Sequence, residues 1–154
     1  MSIGFKQNNI WHIYDVYEHV LHVVDGVRGD LCLRLAALFH DLGKPFVYKE
    51  DEEGVGHFYG HWAKSNEIFM NFVGKYKISP SISDVCSKLI FYHDLNVDKV
   101  SLNELIDLVH ALKKEGVSLL YELKRSDLLA QNSEFHYLID EYYKQEAELL
   151  ALCK

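Results

Sequence analysis

The stretch "ALFHDLGKP", Ala37 to Pro45, decides how the chain is read. It sets a histidine and an aspartate side by side at the end of an apolar run. A glycine, a lysine and a proline follow. The run from Leu31 to Leu42 is apolar nearly all round, which predicts a central, buried helix stopped by Gly43 and Pro45. Adjacent helical residues point ~100° apart. His40 and Asp41 can therefore share one partner only from a helix end that faces a cleft.

Working outward, apolar residues recur at helical spacing almost everywhere. Ile13, Val16, Tyr17, Val20, Leu21 and Val24 predict a first helix, ended by Gly26. Residues 48–60 carry mixed charge and three glycines, and read as a loop. His61 to about Tyr76 predicts a third helix, with Ile68, Phe69, Phe72 and Val73 inward, and Ser81 to Tyr92 a fourth. Ser101 and Glu104 match a capping box opening a helix to about Glu115, before Gly116. Val117 to about Gln131 predicts a sixth, and Asn132-Ser133 opens the last, with Phe135, Leu138, Ile139 and Tyr142 on one face. No segment alternates with period two. The expectation is one all-α domain, residues 1–154, a bundle of about seven helices.

Composition narrows the function. A chain of 154 residues, 49% hydrophobic and 25% charged, reads as soluble and globular. The net charge of −7 argues against a broad basic face for nucleic acid, while a local cation site is still allowed. Cys32, Cys86 and Cys153 are scattered and form no CxxC, which points to small apolar roles rather than a disulfide framework or thiolate zinc site. The N-terminus has no signal-peptide pattern. No apolar run approaches the roughly 20 residues of a membrane span. The expected compartment is the cytoplasm, with no membrane partner.

Nine histidines is a high count. His19, His40, His61 and His93, with Asp41 and Asp127, lie at helix ends or on apolar faces, each group on a different predicted helix. A buried unpaired carboxylate costs several kcal/mol or takes up a proton. A divalent cation removes that cost, and such a His/Asp set suits Mn, Fe, Ni, Co or Zn. His22, His110 and His136 are assigned to ordinary hydrogen-bonded core roles.

The series resembles the HD superfamily of metal-dependent phosphohydrolases. "YEHVLHVV", "FHDLGK", "HFYGH", "FYHD" and "SDLLAQN" look like its successive motifs, on an all-α bundle. "QNNIWHIYDVYEHVL", "RLAALFHDLGKP" and "GVGHFYGH" are most similar to the HD domain attached to some bacterial CCA-adding tRNA nucleotidyltransferases. These residues hold no Gly-rich strand-turn with paired carboxylates, so CCA addition by this chain alone is not expected.

The resemblance implies that His19, His40, Asp41 and Asp127 hold a principal metal. Asp41 would bridge to a second, with His61 and His93. One or two divalent ions (Mn, Fe, Ni, Co, Mg or Zn) are therefore expected. Lys44 matches the lysine expected near the substrate phosphate, and Asp41 and Lys44 are the catalytic candidates. His57 fits a wall position better than a ligand position, and Asp94 a helix-end polar group. His12 and Asp15 match the subgroup, with capping and surface contacts as their ordinary roles. Phe58, Tyr59 and Trp62 flank His61, where they could stack on a base or simply pack.

The implied activity is hydrolysis of nucleotide phosphomono- or phosphodiesters, for example 2′,3′-cyclic nucleotides. The expected partner is a small nucleotide or phosphate ester, with an RNA 3′ end as a further candidate. The alternative is a metal-bearing module that binds a nucleotide or RNA end without turnover. A dinucleoside polyphosphate hydrolase competes within the same chemistry, and a diiron oxygenase outside it.

Overall fold

The computed structural model describes residues 2–153. Its helices are α1 (Val16–Gly26), α2 (Leu31–Phe39), the single turn α3 (Lys44–Val47), α4 (His61–Tyr76), α5 (Pro80–Tyr92), α6 (Leu102–Leu129) and α7 (Ile139–Leu152). Short 3₁₀ turns cover Val97–Lys99 and Ser133–Leu138. The fold is the all-α bundle the sequence predicts.

Side-chain caps fix several helix starts. Asp15 accepts from the Glu18 amide at 2.8 Å, and Asp30 from the Leu33 amide at 2.9 Å. The capping box is present: Ser101 Oγ accepts from the Glu104 amide at 3.3 Å, and the Ser101 amide donates to Glu104 Oε2 at 2.7 Å. Phe69, Leu33, Leu89, Ile90, Leu120 and Tyr121 are fully buried in one apolar cluster. The α2 helix is central, touching α1, α4, α5 and α6.

Several expectations need correction. The central helix ends at Phe39, not Leu42, so His40 and Asp41 sit in the turn between α2 and α3. Gly43 does not end it through its own backbone, which is ordinary helical at φ −76°. It is small because α4 crosses it: a Cβ there would lie 2.4 Å from the His61 carbonyl oxygen and 2.6 Å from the Ser65 nitrogen. The loop 48–60 contains a two-residue antiparallel pairing of β1 (Lys49–Glu50) with β2 (Gly56–His57). Gly60, at φ +80°, then turns the chain into α4.

The two helices expected on either side of Gly116 do meet at a break within α6, but the break falls at Lys113, with φ 57°. Gly116 itself stays helical and lies against Leu112. In α1, Val16, His19, Val20 and Val23 are buried, whereas Tyr17 and Leu21 are exposed, as is Ile13 just before it. The inward stripe is thus turned toward His19. His22 and His110 are surface residues, not core ones.

Candidate metal centre

Five separate segments bring the polar residues to one point. The α1 helix carries His19, the turn after α2 carries His40 and Asp41, and α4 opens with His61. His93 follows the last residue of α5, and Asp127 sits in the last turn of α6. His19, His40, Asp41, His61 and His93 are buried and Asp127 is half-buried.

Their ligand atoms form two groups that share Asp41: His19, His40, Asp41 and Asp127, and Asp41, His61 and His93, each group within 4.8 Å. Asp41 turns one oxygen to each. Its Oδ2 lies 3.4 Å from both His19 Nε2 and His40 Nε2. Its Oδ1 lies 3.2 Å from His61 Nε2 and 3.6 Å from His93 Nε2. Asp127 Oδ1 is 2.9 Å from His19 Nε2.

The backbone decides which imidazole nitrogen faces inward. Nδ1 of His40, His61 and His93 donates to the carbonyl three residues earlier, at 2.7, 2.9 and 2.7 Å. Nδ1 of His19 donates to the Ala130 carbonyl at 3.3 Å. A carbonyl only accepts, so in each neutral ring the proton is on Nδ1 and Nε2 is a bare lone pair. Four such lone pairs meet a carboxylate, and the His61 and His93 Nε2 atoms face each other at 3.1 Å.

Acceptors gathered this way repel unless a cation stands between them. His19 Nε2, His40 Nε2 and Asp41 Oδ2 are buried without a hydrogen bond. Lys44 Nζ is 2.6 Å from Asp41 Oδ2, but approaches it outside hydrogen-bonding angles. The donor set, four imidazoles and two carboxylates, fits a divalent metal.

Charge balance agrees. Burial works to raise the Asp41 pKa, yet His40 and Lys44 outweigh it and hold the carboxyl well below its usual range. Asp127 behaves likewise, against burial, through His19 and His40. Burial disfavours a charged His40, but Asp41 and Asp127 override it and raise its pKa to about 10. Without a metal, therefore, His40 is where the cluster takes up a proton. Burial keeps the His93 pKa lowered despite Asp41, so this ring stays neutral.

Lys44 is buried, with three partners: Asp41, Gln7 Oε1 at 2.9 Å and His12 Nε2 at 3.2 Å. Burial and Lys44 together lower the His12 pKa to about 3, so His12 is a neutral acceptor. Asp15 is the α1 cap. His57 lies outside both ligand groups and bonds Asp51 Oδ2 at 2.7 Å. Asp94 is exposed and also outside them. Phe58, Tyr59 and Trp62 line a cavity of about 320 Å³ with Asp41, Lys44 and His61.

Sequence reasoning missed Gln7 and Lys124. The Lys124 ammonium is buried and donates to the carbonyls of His93 and Leu95 at 2.8 and 2.9 Å, fixing the turn that presents His93. Its one signal is a lysine three residues before Asp127 on the inward side of α6. Gln7 has none, because its contact with Lys44 spans the irregular N-terminal segment.

Among the described residues no helix is long and apolar enough to cross a membrane. The family model described as HD domain matches residues 12–140, most of the chain. No curated protein and no solved structure gave a match.

Proposed function

The chain belongs to the HD domain family, and from that premise we propose that it is a divalent-metal-dependent phosphohydrolase acting on nucleotide phosphate esters. The observation that carries this reading is the set of four Nε2 lone pairs, each fixed by a backbone carbonyl behind it, converging on Asp41. His19, His40, Asp41 and Asp127 would hold the first ion. Asp41, His61 and His93 would hold a second. Ions so placed, when bound, supply Lewis-acid stabilisation of phosphate charge and a more acidic water.

The protein's own residues prepare the site in three ways. The carbonyls behind the imidazoles fix ring orientation before any ligand arrives. Asp41 and Asp127, held ionised, supply the negative charge that retains the cation. Lys44 brings a further cation to the cavity wall. Its longest contact, 3.2 Å to His12, is the one a phosphate oxygen would replace.

The finer reading is a nucleotide mono- or diester, including 2′,3′-cyclic phosphates. It is supported by the motif likeness to the HD domain of CCA-adding enzymes and by the aromatic residues beside His61. The test is hydrolysis of a nucleotide panel with Mn, Ni, Co and Mg. Turnover that needs the metal and vanishes in Asp41→Ala is expected. Full activity in that variant would sink the mechanism.

A further inference from the structure

A second cavity, of about 410 Å³, adjoins the first. His93 and Asp127 line both, so it opens from the metal centre. The two volumes are each at the lower end for small-molecule pockets, about 300–1,000 Å³. Together they suit one small ligand with its reacting end at the metals.

Four carboxylates and one ammonium line the larger cavity, so its charge is mostly negative. Asp94, Asp98 and Glu141 line it beside Asp127. The cation among its lining residues is Lys124, whose ammonium is committed to the two backbone carbonyls. Lys144 lies 3.7 Å from Glu141 but is not part of the lining. Asp98 keeps one oxygen on Gln145 Nε2 at 2.9 Å. At the rim Trp11 is stacked on Phe135 at 3.8 Å, which holds the indole in place.

Carboxylates accept hydrogen bonds and repel phosphate. The buried, unpartnered His19 Nε2, His40 Nε2 and Asp41 Oδ2 mark where the phosphate end must go, next to the cations. The organic end then falls among acceptors and an indole. We infer that the 410 Å³ cavity receives the organic part of the substrate, that this part is an uncharged, donor-rich group such as a nucleoside, and that a second phosphate on it is rejected. This rests on the phosphohydrolase reading for the placement of the reacting phosphate. It favours nucleoside monophosphates and cyclic phosphates, and disfavours polyphosphate chains.

The experiment compares adenosine 5′-monophosphate with adenosine 3′,5′-bisphosphate binding to the manganese-loaded protein by calorimetry at low salt. Whichever phosphate sits at the metals, the other must enter the acidic cavity. The bisphosphate should bind about tenfold more weakly, and high salt should shrink that gap. Glu141→Lys should narrow it several-fold. Equal or tighter bisphosphate binding, a gap unmoved by Glu141→Lys, or no binding of either nucleotide at millimolar concentration would overturn the inference. Hydrolysis of bis(p-nitrophenyl) phosphate, which has no nucleoside, is measured in parallel. Its absence counts against the phosphohydrolase reading and leaves the binding comparison standing.

Discussion

The two halves of the His/Asp cluster are built from the same parts in different proportions. The half around Asp127 has two imidazoles and two carboxylates, on α1, the turn after α2 and α6. The half around His61 has two imidazoles and only the other oxygen of Asp41, on the ends of α4 and α5. The first brings two negative charges to an ion and the second shares one of them. Coulomb attraction scales with charge, so the first half should bind tightly and the second weakly. Coordination by the same residue type does not give the same affinity when the charge count differs.

The largest effect should come from the residue both halves share. Asp41→Asn removes a charge from each, and it leaves the buried Lys44 ammonium beside a neutral amide. Purified variant analysed by inductively coupled plasma mass spectrometry should carry no stoichiometric metal. Its apo form should lose about 3–5 kcal/mol of stability in urea titration, as broken buried pairs do.

Single-half variants should separate the two. Asp127→Asn should weaken the tighter site by at least about 100-fold, since even outer partners of metal ligands are worth 10–100-fold. His93→Ala should abolish the weaker site and leave the tighter one within about tenfold. Manganese titrations followed by electron paramagnetic resonance distinguish these outcomes. Equal losses in both would break the asymmetry.

The halves are joined where Gly43 passes under α4, its amide donating to Ser65 Oγ at 2.8 Å. Gly43→Ala forces a Cβ against backbone there, and should cost about 1–3 kcal/mol or more by overpacking. Because His61 moves with α4, manganese binding at the weaker site should fall further than at the tighter one.

An effect confined to alkaline pH concerns Lys124, whose pKa burial lowers to about 8 against the pull of Asp94 and Asp127. The unfolded value is about 10.4. Between these values the unfolded chain binds more protons, so Lys124 adds a term that makes stability rise with pH. Below pH ~8 the penalty for burying the charge is fully present, and above ~10.4 it is gone. Relative to Lys124→Met, wild-type stability in denaturant should therefore climb across that window. A constant difference would contradict the assignment.

Much of this was legible in the sequence, for identifiable reasons. The six polar residues stood out as a series at helix ends and on apolar faces, the resemblance to the HD superfamily assigned them to one site, and the structure gathers all six. Helix existence followed from periodicity and the Ser101–Glu104 box. Other features depend on tertiary contact. Periodicity could not show that α1 turns its Val16–Val23 stripe inward and leaves Tyr17 and Leu21 out, since all are apolar. Gly43 reads as a helix stop, whereas its role is to let another helix pass close by. The kink falls at Lys113, a residue with no breaker signal, and not at Gly116. Gln7 acts through a contact 37 residues away and Lys124 through two, 31 and 29 residues away, which no local pattern encodes.

The central claim is that this cluster is built for cations, unequally. The most direct measurement is a manganese titration of the chelator-stripped wild-type protein, with ions per chain counted by native mass spectrometry. The account predicts one ion taken up tightly and a second only at higher manganese, with Asp41→Asn taking up neither. Wild-type protein that binds no manganese, or Asp41→Asn protein that binds as the wild type does, would contradict it.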